Sequence, residues 1–92
     1  MMEFEWDEAK RFANLSKHGI DFLDVSVIFE GDTLMVEDNR YDYGELRFVT
    51  FGLFRGLVVA VIHSDRQDSI RIISARKATK YEQKIYFEEV FN

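Results

Sequence analysis

The run from Leu57 to Ile62 is the feature that most limits what this chain can fold into, because all six of its residues are apolar. A half-exposed strand alternates apolar and polar residues, whereas an unbroken apolar run is buried on both faces. Six residues are far fewer than the ~20 that a membrane-spanning helix needs, and they match the usual length of a strand. We therefore expect this run to be the central strand of a sheet.

The segments around this run are also predicted to be strands, because their apolar residues recur with a period of two. The Arg55-Gly56 turn and the turn within 65–68 suit tight hairpins, and residues 38–44 form a longer polar loop. A short edge strand is predicted at Phe4–Trp6. The four main predicted strands are Thr33–Glu37, Leu46–Phe54, Leu57–His63 and Ser69–Arg76.

A helix is predicted near the N-terminus. Asp7 is a suitable N-cap, because its carboxylate can accept the free N–H groups of the first turn. Ala9, Phe12 and Ala13 follow at helical spacing, so we expect them to face the core. Gly19 can take the left-handed conformation that ends a helix.

A second helix is predicted from Asp21 to just before Gly31. Thr79 and Glu82 form a capping box that starts a third helix, which runs almost to Asn92. The resulting order is β-α-α-β-β-β-β-α. It predicts an α+β fold, in which one antiparallel sheet of four or five strands packs against two N-terminal helices and one C-terminal helix.

Length and composition restrict the class of protein. Ninety-two residues, of which 47% are hydrophobic, predict one ordered domain over residues 1–92. The chain has no Cys, which excludes disulfides and thiolate chemistry, and no apolar stretch long enough to span a membrane. The first residues lack the basic start and apolar run of a secretory signal. We expect a cytoplasmic domain that does not associate with membranes.

The net charge of −5 is unevenly distributed along the chain. Residues 1–45 carry 12 acidic and 4 basic residues, whereas residues 66–84 carry six basic and two acidic ones. Local fields matter for anion binding, because exposed charges more than about 8 Å apart are largely screened at physiological salt. The basic segment is either a polyanion-binding site or a solvated face, and charge alone leaves both interpretations open.

Two arginines stand out in the last predicted strand. Strict alternation places Arg76 on one face, with Ile70 and Ile72, and Arg71 on the other. A half-buried guanidinium needs a partner, because burying an unpaired charge is costly. That partner is either an internal carboxylate or a bound phosphate, which suits planar bidentate donors. The internal candidates are Glu45 and Asp38, and Arg47 can join the pair from an adjoining strand.

Two histidines are candidates for proton transfer, because imidazole titrates near neutral pH. His63 ends the predicted central strand, and His18 closes the first helix next to Lys17. His63 is explained equally well as a residue at a turn. His18 is explained equally well by a favourable interaction with the helix dipole. Two histidines without a metal-binding spacing make a poor zinc site.

Three further groups of residues have both a functional and a structural interpretation. Acidic residues around the long loop offer oxygens to Mg²⁺ but match no metal-loop pattern. Tyrosines offer faces for base stacking or rings for the core, and the apolar end of the last helix offers a partner-binding patch if it is uncovered. These groups are Glu37, Asp38, Asp42 and Glu45; Tyr41, Tyr43 and Tyr86; and Phe87, Val90 and Phe91.

Five blocks of residues carry a family resemblance over nearly the whole chain. They are Phe4-x-Trp6-Asp7-x-x-Lys10, Asn14-x-x-Lys17-His18-Gly19-Ile20-x-Phe22, Gly44-Glu45-x-Arg47-Phe48-x-x-x-Gly52, Leu57-x-Val59-x-Val61-x-His63, and Arg71-Ile72-Ile73-Ser74-Ala75-Arg76-Lys77-Ala78-Thr79 followed by Glu82 and Tyr86. In this order and spacing the chain resembles the BrnT-type toxins of bacterial type II toxin–antitoxin systems. The resemblance implies a RelE-like fold and an RNA-cleaving toxin that blocks translation. It also implies that the partner is a ribbon-helix-helix antitoxin. The chain would contact operator DNA only indirectly, through this antitoxin.

A metal-independent ribonuclease lets the ribose 2′-OH attack the adjacent phosphate, so it needs proton transfer and cations around the developing charge. We expect no metal and no cofactor. The candidate catalytic residues are Arg71, Arg76, Arg47, Glu45 and His63; the candidate RNA contacts are Lys77, Lys80, Lys17, His18 and Tyr86; the candidate antitoxin contacts are Phe87, Val90 and Phe91. Two alternatives stay open: a binding module that assembles a repressor with its antitoxin and has little or no catalytic activity, and a metal-dependent phosphodiesterase that uses the acids of residues 37–45.

Overall fold

A computed structural model describes residues 2–91; Met1 and Asn92, both included in the predicted domain 1–92, lie outside the described residues. The elements are β1 (Glu3–Glu5), α1 (Glu8–His18), α2 (Phe22–Val25), a 3-10 helix (Ser26–Glu30), β2 (Leu34–Glu37), β3 (Phe48–Phe54), β4 (Leu57–Arg66), β5 (Ser69–Lys77) and α3 (Lys80–Phe91). The predicted element order is confirmed, but the predicted second helix is one short α-helix followed by a 3-10 helix.

The five strands form one sheet in the order β1-β5-β4-β3-β2, which places β4 at the centre as predicted. The pairings of β2 with β3, β3 with β4 and β4 with β5 are antiparallel, but β1 runs parallel to β5. The sheet is therefore mixed, and the prediction of an antiparallel sheet was wrong. Three residues of β1 carry too little pattern to specify which strand they pair with or in which direction.

The sheet lies between two helical layers, each with its own apolar cluster. One face packs against α2 and the 3-10 helix, and the other, which we call the α3 face, packs against α3. Val59 and Val61 of β4 belong to the first cluster, whereas Val58, Ala60 and Ile62 belong to the second. This alternation explains the unbroken apolar run, because both faces of β4 are covered.

A β-bulge interrupts the pairing of β4 with β5. Ile62 pairs with Ser74 but the next residue, His63, pairs with Ile72, so Ile73 is an extra residue on β5. One extra residue reverses the alternation of faces along the rest of a strand. The period of two therefore holds on each side of Ile73 but not across it.

The bulge changes where the two arginines of β5 lie. Arg76 pairs with Ala60 and Arg71 with Ser64, two β4 positions that share the α3 face. The prediction that Arg71 and Arg76 occupy opposite faces was wrong, because it assumed a strand without a bulge.

The buried side of α1 also differs from the prediction. Phe12 is 59% exposed and Ala9 and Ala13 are exposed, whereas Asn14 is buried. The Asn14 amide donates to the Ala75 carbonyl and accepts from the Ala75 N–H, at 2.9 and 3.0 Å. The short β1 pairs only with the start of β5, so Asn14 satisfies backbone groups farther along the same edge. A polar contact, rather than an apolar stripe, thus orients α1.

The predicted caps are confirmed. Asp7 accepts a hydrogen bond from the Lys10 N–H, and Gly19 ends α1 with a φ of +71°. Thr79 and Glu82 bond reciprocally to each other's backbone N–H groups at the start of α3. These local signals depend on a few neighbouring residues, so the sequence alone is enough to predict them.

Candidate active site

Three of the five predicted catalytic residues meet at one end of the sheet. The Glu45 carboxylate accepts a hydrogen bond from Arg47 Nε at 3.1 Å and another from Arg71 Nη1 at 3.3 Å. The three side chains retain between 20% and 31% of their exposure. Two cations and one carboxylate therefore lie together where a ligand can reach them, and we call Arg47, Glu45 and Arg71 the arginine cluster.

The sheet register brings the two arginines of the cluster together. Arg71 on β5 is the ladder partner of Ser64 on β4. Arg47 lies one residue before β3, and the Asp38 N–H donates to its carbonyl at 2.8 Å, so the pairing of β2 with β3 continues through it. If the pairing of β3 with β4 is extended by one residue, Arg47 lies opposite Ser64, on the side of Ser64 away from Arg71. The two arginines thus flank one serine.

Asp38 organises the loop that carries Arg47. Its buried carboxylate accepts bonds from Arg40 Nε and Nη2 and from the Tyr43 hydroxyl, at 2.9 to 3.2 Å. The Arg40 guanidinium holds the pKa of Asp38 below its usual value. The ring of Tyr43 lies 4.2 Å from the Arg47 guanidinium in a cation–π contact. The loop is therefore built around Asp38 and supports Arg47 from one side.

Arg76 lies apart from the cluster. Arg76 pairs with Ala60 on β4, whereas Arg71 pairs with Ser64. These two β4 residues are four positions apart, which is about 13 Å along the strand. The Arg76 guanidinium binds both oxygens of Glu82, at 2.8 and 3.1 Å, beside a shallow groove lined in part by residues 36–40. This contact lowers the pKa of Glu82, whose carboxylate also caps α3. Sequence reasoning identified Glu82 only as a cap.

His63 is fully buried on the other face of the sheet, between the rings of Phe29 and Phe48. Its Nε2 lies 2.7 Å from Thr50 Oγ1, and its Nδ1 lies 2.7 Å from an Asp65 carboxylate oxygen. Burial lowers the pKa of His63, which favours the neutral ring, with Nδ1–H donating to Asp65 and Nε2 accepting from Thr50. The structure therefore does not bring His63 to the arginine cluster.

Comparison with known proteins identifies the family. A sequence model described as "Ribonuclease toxin, BrnT, of type II toxin-antitoxin system" matches residues 6–82. This chain belongs to the BrnT family. The crystal structure of the ribonuclease toxin BrnT from Brucella abortus is similar, with a TM-score of 0.68 and 30% identity over 87% of this chain and 100% of that one. No curated protein matches the chain significantly.

The predicted RNA contacts of this BrnT-family chain lie mostly in a second basic region. His18, Lys77 and Arg55 line one depression near the turn between β3 and β4, and Lys17 lines a neighbouring one that also includes His18. Lys80 is exposed at the start of α3. The arginine cluster lies at the opposite end of β4, so the structure shows two separate basic regions.

The aromatic residues of α3 divide into buried and exposed groups. Tyr86 is fully buried, and its hydroxyl donates to the Asp32 carbonyl at 2.7 Å, so its ring has no face on which a base can stack. Val90 packs against the core beside it. Phe87 and Phe91 are 44% and 52% exposed and form an apolar patch on α3.

Two structural findings concern metals and membranes. Within residues 2–91, no three His, Asp or Glu side chains are arranged to hold a metal ion. Among the same residues, no helix has the length and apolar character needed to cross a bilayer.

Sequence reasoning missed the roles of Asn14 and Ser64, and it expected Asp38 to pair with Arg71 or Arg76, whereas Asp38 pairs with Arg40. Asn14 and Asp38 are buried polar residues whose contacts set the position of α1 and of the loop. Ser64 lies between the two arginines and has no hydrogen-bond partner for its hydroxyl. Asn14 belongs to a motif block, and a polar residue in such a block is a usable signal, whereas nothing local marks Ser64.

Proposed function

We propose that this chain is a metal-independent endoribonuclease whose active site is the arginine cluster. The observation that carries the proposal is the Glu45 carboxylate held between Arg47 and Arg71 at an accessible end of the sheet. Phosphodiester cleavage needs a base beside cations, and the cluster supplies both. Membership of a ribonuclease toxin family supports this chemistry.

In the proposed reaction, Glu45 accepts the proton of the ribose 2′-OH as that oxygen attacks the adjacent phosphorus. The O2′–P bond forms, the P–O5′ bond breaks, and a 2′,3′-cyclic phosphate and a 5′-hydroxyl result. Water supplies the proton to the leaving O5′. Arg47 and Arg71 hold the phosphate and stabilise the charge that develops on its oxygens.

Other predicted residues take different parts in this proposal. Lys77, Lys80, Lys17 and His18 contact phosphates away from the scissile bond, so RNA affinity falls as salt rises. We propose that Arg76 supports α3 through Glu82, with at most a secondary part in RNA binding. His63 and Tyr86 are buried, and we leave both out of the RNA-contacting set.

We further propose that a ribbon-helix-helix antitoxin neutralises the chain by covering the patch formed by Phe87 and Phe91, whereas Val90, the third predicted contact, packs against the core. Exposed apolar patches commonly mark protein–protein contacts. Operator DNA is then contacted only through the antitoxin. We propose that the cleavage takes place in the cytoplasm and inhibits translation there. We also propose that the fold is RelE-like.

Cleavage by the purified chain in the presence of EDTA tests the proposed activity. Glu45→Gln keeps the size of the side chain but removes the base, so cleavage should fall by about 10²-fold or more. The matched control is Glu88→Gln, an exposed carboxylate on α3 that pairs with Lys84 at 3.9 Å. Wild-type rates in Glu45→Gln, or loss of all cleavage in EDTA, contradict the assignment.

A second candidate function is a binding module that assembles with the antitoxin and has little or no catalytic activity. The exposed Phe87 and Phe91 side chains favour this candidate, because they serve partner binding without catalysis. Expression in a bacterium separates the two functions. Growth arrest that the antitoxin reverses, and that Glu45→Gln abolishes, supports the ribonuclease; antitoxin binding without arrest supports the module.

A further inference from the structure

Ser64 carries the one buried side-chain oxygen or nitrogen within residues 2–91 that lacks a hydrogen-bond partner. The residue is only 4% exposed. A buried hydroxyl without a partner lowers stability, and folded proteins satisfy nearly all such groups. An exception beside a candidate active site points to a function, because local rules are broken most often where function requires it.

Ser64 lies in the middle of a row of three residues on the α3 face. Arg71 is its ladder partner on β5, and the continued register of β3 places Arg47 on its other side. Side chains opposite one another in a ladder have Cβ atoms about 4.5–5.5 Å apart. The hydroxyl therefore lies between the backbone positions of the two arginines, whose guanidinium groups Glu45 joins.

The chemistry of these neighbours explains what the hydroxyl lacks. Guanidinium groups only donate hydrogen bonds, and no Glu45 oxygen lies within hydrogen-bond distance of the Ser64 hydroxyl. The Ser64 hydroxyl can donate, so an acceptor that displaces the side chains covering it and enters between the two arginines gives it a partner. The non-bridging oxygens of a phosphate are anionic acceptors that guanidinium groups bind well.

We propose that Ser64 donates a hydrogen bond to a non-bridging oxygen of the scissile RNA phosphate while Arg47 and Arg71 hold that phosphate. This inference rests on the proposed ribonuclease function and adds a phosphate-binding residue to it. The entering phosphate replaces the contact of Arg71 with Glu45, which at 3.3 Å is the longer of the two that Glu45 makes. The freed carboxylate oxygen then accepts the 2′-OH proton, and Ser64 itself forms no covalent bond.

Ser64→Ala and Ser64→Thr, compared with Ser74→Ala, test this role. Ser74 is the control, because it is a serine on the same face, opposite Ile62 and outside the arginine cluster. It lines the depression that includes Lys17 and His18, so the comparison uses saturating RNA, at which a change in RNA affinity does not alter the rate. In single-turnover cleavage at saturating RNA, Ser64→Ala should be slower by about 10-fold or more, while Ser74→Ala matches wild type. The Ser64→Ala melting temperature should equal or exceed that of wild type, because an unpaired hydroxyl is removed. Ser64→Thr keeps the hydroxyl and should restore cleavage.

Inorganic phosphate alone separates this inference from the proposed function. The wild-type melting temperature should rise as the phosphate concentration is raised. The rise should be smaller in Ser64→Ala and the same as wild type in Ser74→Ala. Wild-type cleavage and phosphate response in Ser64→Ala overturn the role of Ser64 and leave the ribonuclease proposal standing. A wild-type chain that responds to phosphate through Ser64 but cleaves no RNA supports the anion site and contradicts the ribonuclease. No phosphate effect on wild type overturns the site itself.

Discussion

Arg71 and Arg76 lie on the same face of the same strand, yet their surroundings differ. Their side chains are 27% and 30% exposed, and each is paired with a carboxylate. Arg76 makes two bonds to Glu82, at 2.8 and 3.1 Å, and Glu82 is itself fixed at the start of α3. Arg71 makes one bond of 3.3 Å, to a Glu45 that it shares with Arg47.

This difference shows that residue type and exposure do not identify a ligand-binding arginine, whereas the geometry of its ion pair does. A bidentate pair anchored in a helix cap is already satisfied, so a phosphate has little to offer Arg76. A single long bond to a shared carboxylate leaves most donors of Arg71 unused, and a phosphate can bind them. We therefore expect substitutions of Arg71 to affect chemistry and substitutions of Arg76 to affect stability.

The largest effect expected from this comparison is on cleavage by Arg71→Ala. Loss of a charge-stabilising donor should reduce the single-turnover rate by about 10²-fold or more, with little change in melting temperature. Arg66→Ala is the control, because Arg66 is an exposed arginine at the same end of the sheet, with a single 3.4 Å ion pair to Glu5. If Arg66→Ala and Arg71→Ala lose cleavage equally, general positive charge, rather than the arginine cluster, explains RNA binding.

The sequence was sufficient to predict those parts of the fold that depend on neighbouring residues. The central position of β4 follows from its unbroken apolar run, and the ends of α1 follow from Asp7 and Gly19. The hairpin turn has φ values of +52° at Arg55 and +80° at Gly56, as expected for a tight turn with both residues left-handed. Each of these signals acts over a few residues.

Features that depend on distant residues could not be predicted in this way. The bulge at Ile73 reverses the faces of β5, and nothing in the local pattern of that strand marks it. The orientation of α1 depends on Asn14 bonding to Ala75, 61 residues away. For the candidate site, Glu45 was a predicted partner of the arginines and does bind Arg71. Its contact with Arg47 joins residues two positions apart, whereas the contact with Arg71, 26 residues away, needs three strands in register.

Arg76→Ala should have the next largest effect, and on stability rather than chemistry. Removing this partly exposed bidentate pair should cost about 1 kcal/mol, after allowance for solvent screening, and lower the melting temperature by about 4–8 °C. Cleavage per folded molecule, measured well below the melting temperature, should fall much less than in Arg71→Ala. If Arg76→Ala melts like wild type but loses as much cleavage as Arg71→Ala, Arg76 is an active-site residue rather than a stabilising one.

The smallest expected effect is a pH dependence that belongs to the Arg76 end of the strand. Arg76 holds the folded-state pKa of Glu82 below the 4.5 of an unperturbed glutamate. Between the two values the unfolded chain binds more protons than the folded one, so stability falls as pH drops below 4.5. In Glu82→Gln this contribution of a few tenths to about 1 kcal/mol is absent, so the acid side of the stability curve should be shallower than in wild type.

Urea unfolding between about pH 3 and 7 measures the two curves. Arg76→Ala should show a slope between those of wild type and Glu82→Gln, because it removes the largest cause of the shift while the hydrogen bond from the Thr79 N–H still lowers the pKa of Glu82. Equal slopes in all three proteins would mean that the bidentate contact is not maintained in solution, and the distinction between the two arginines would then lose its physical basis.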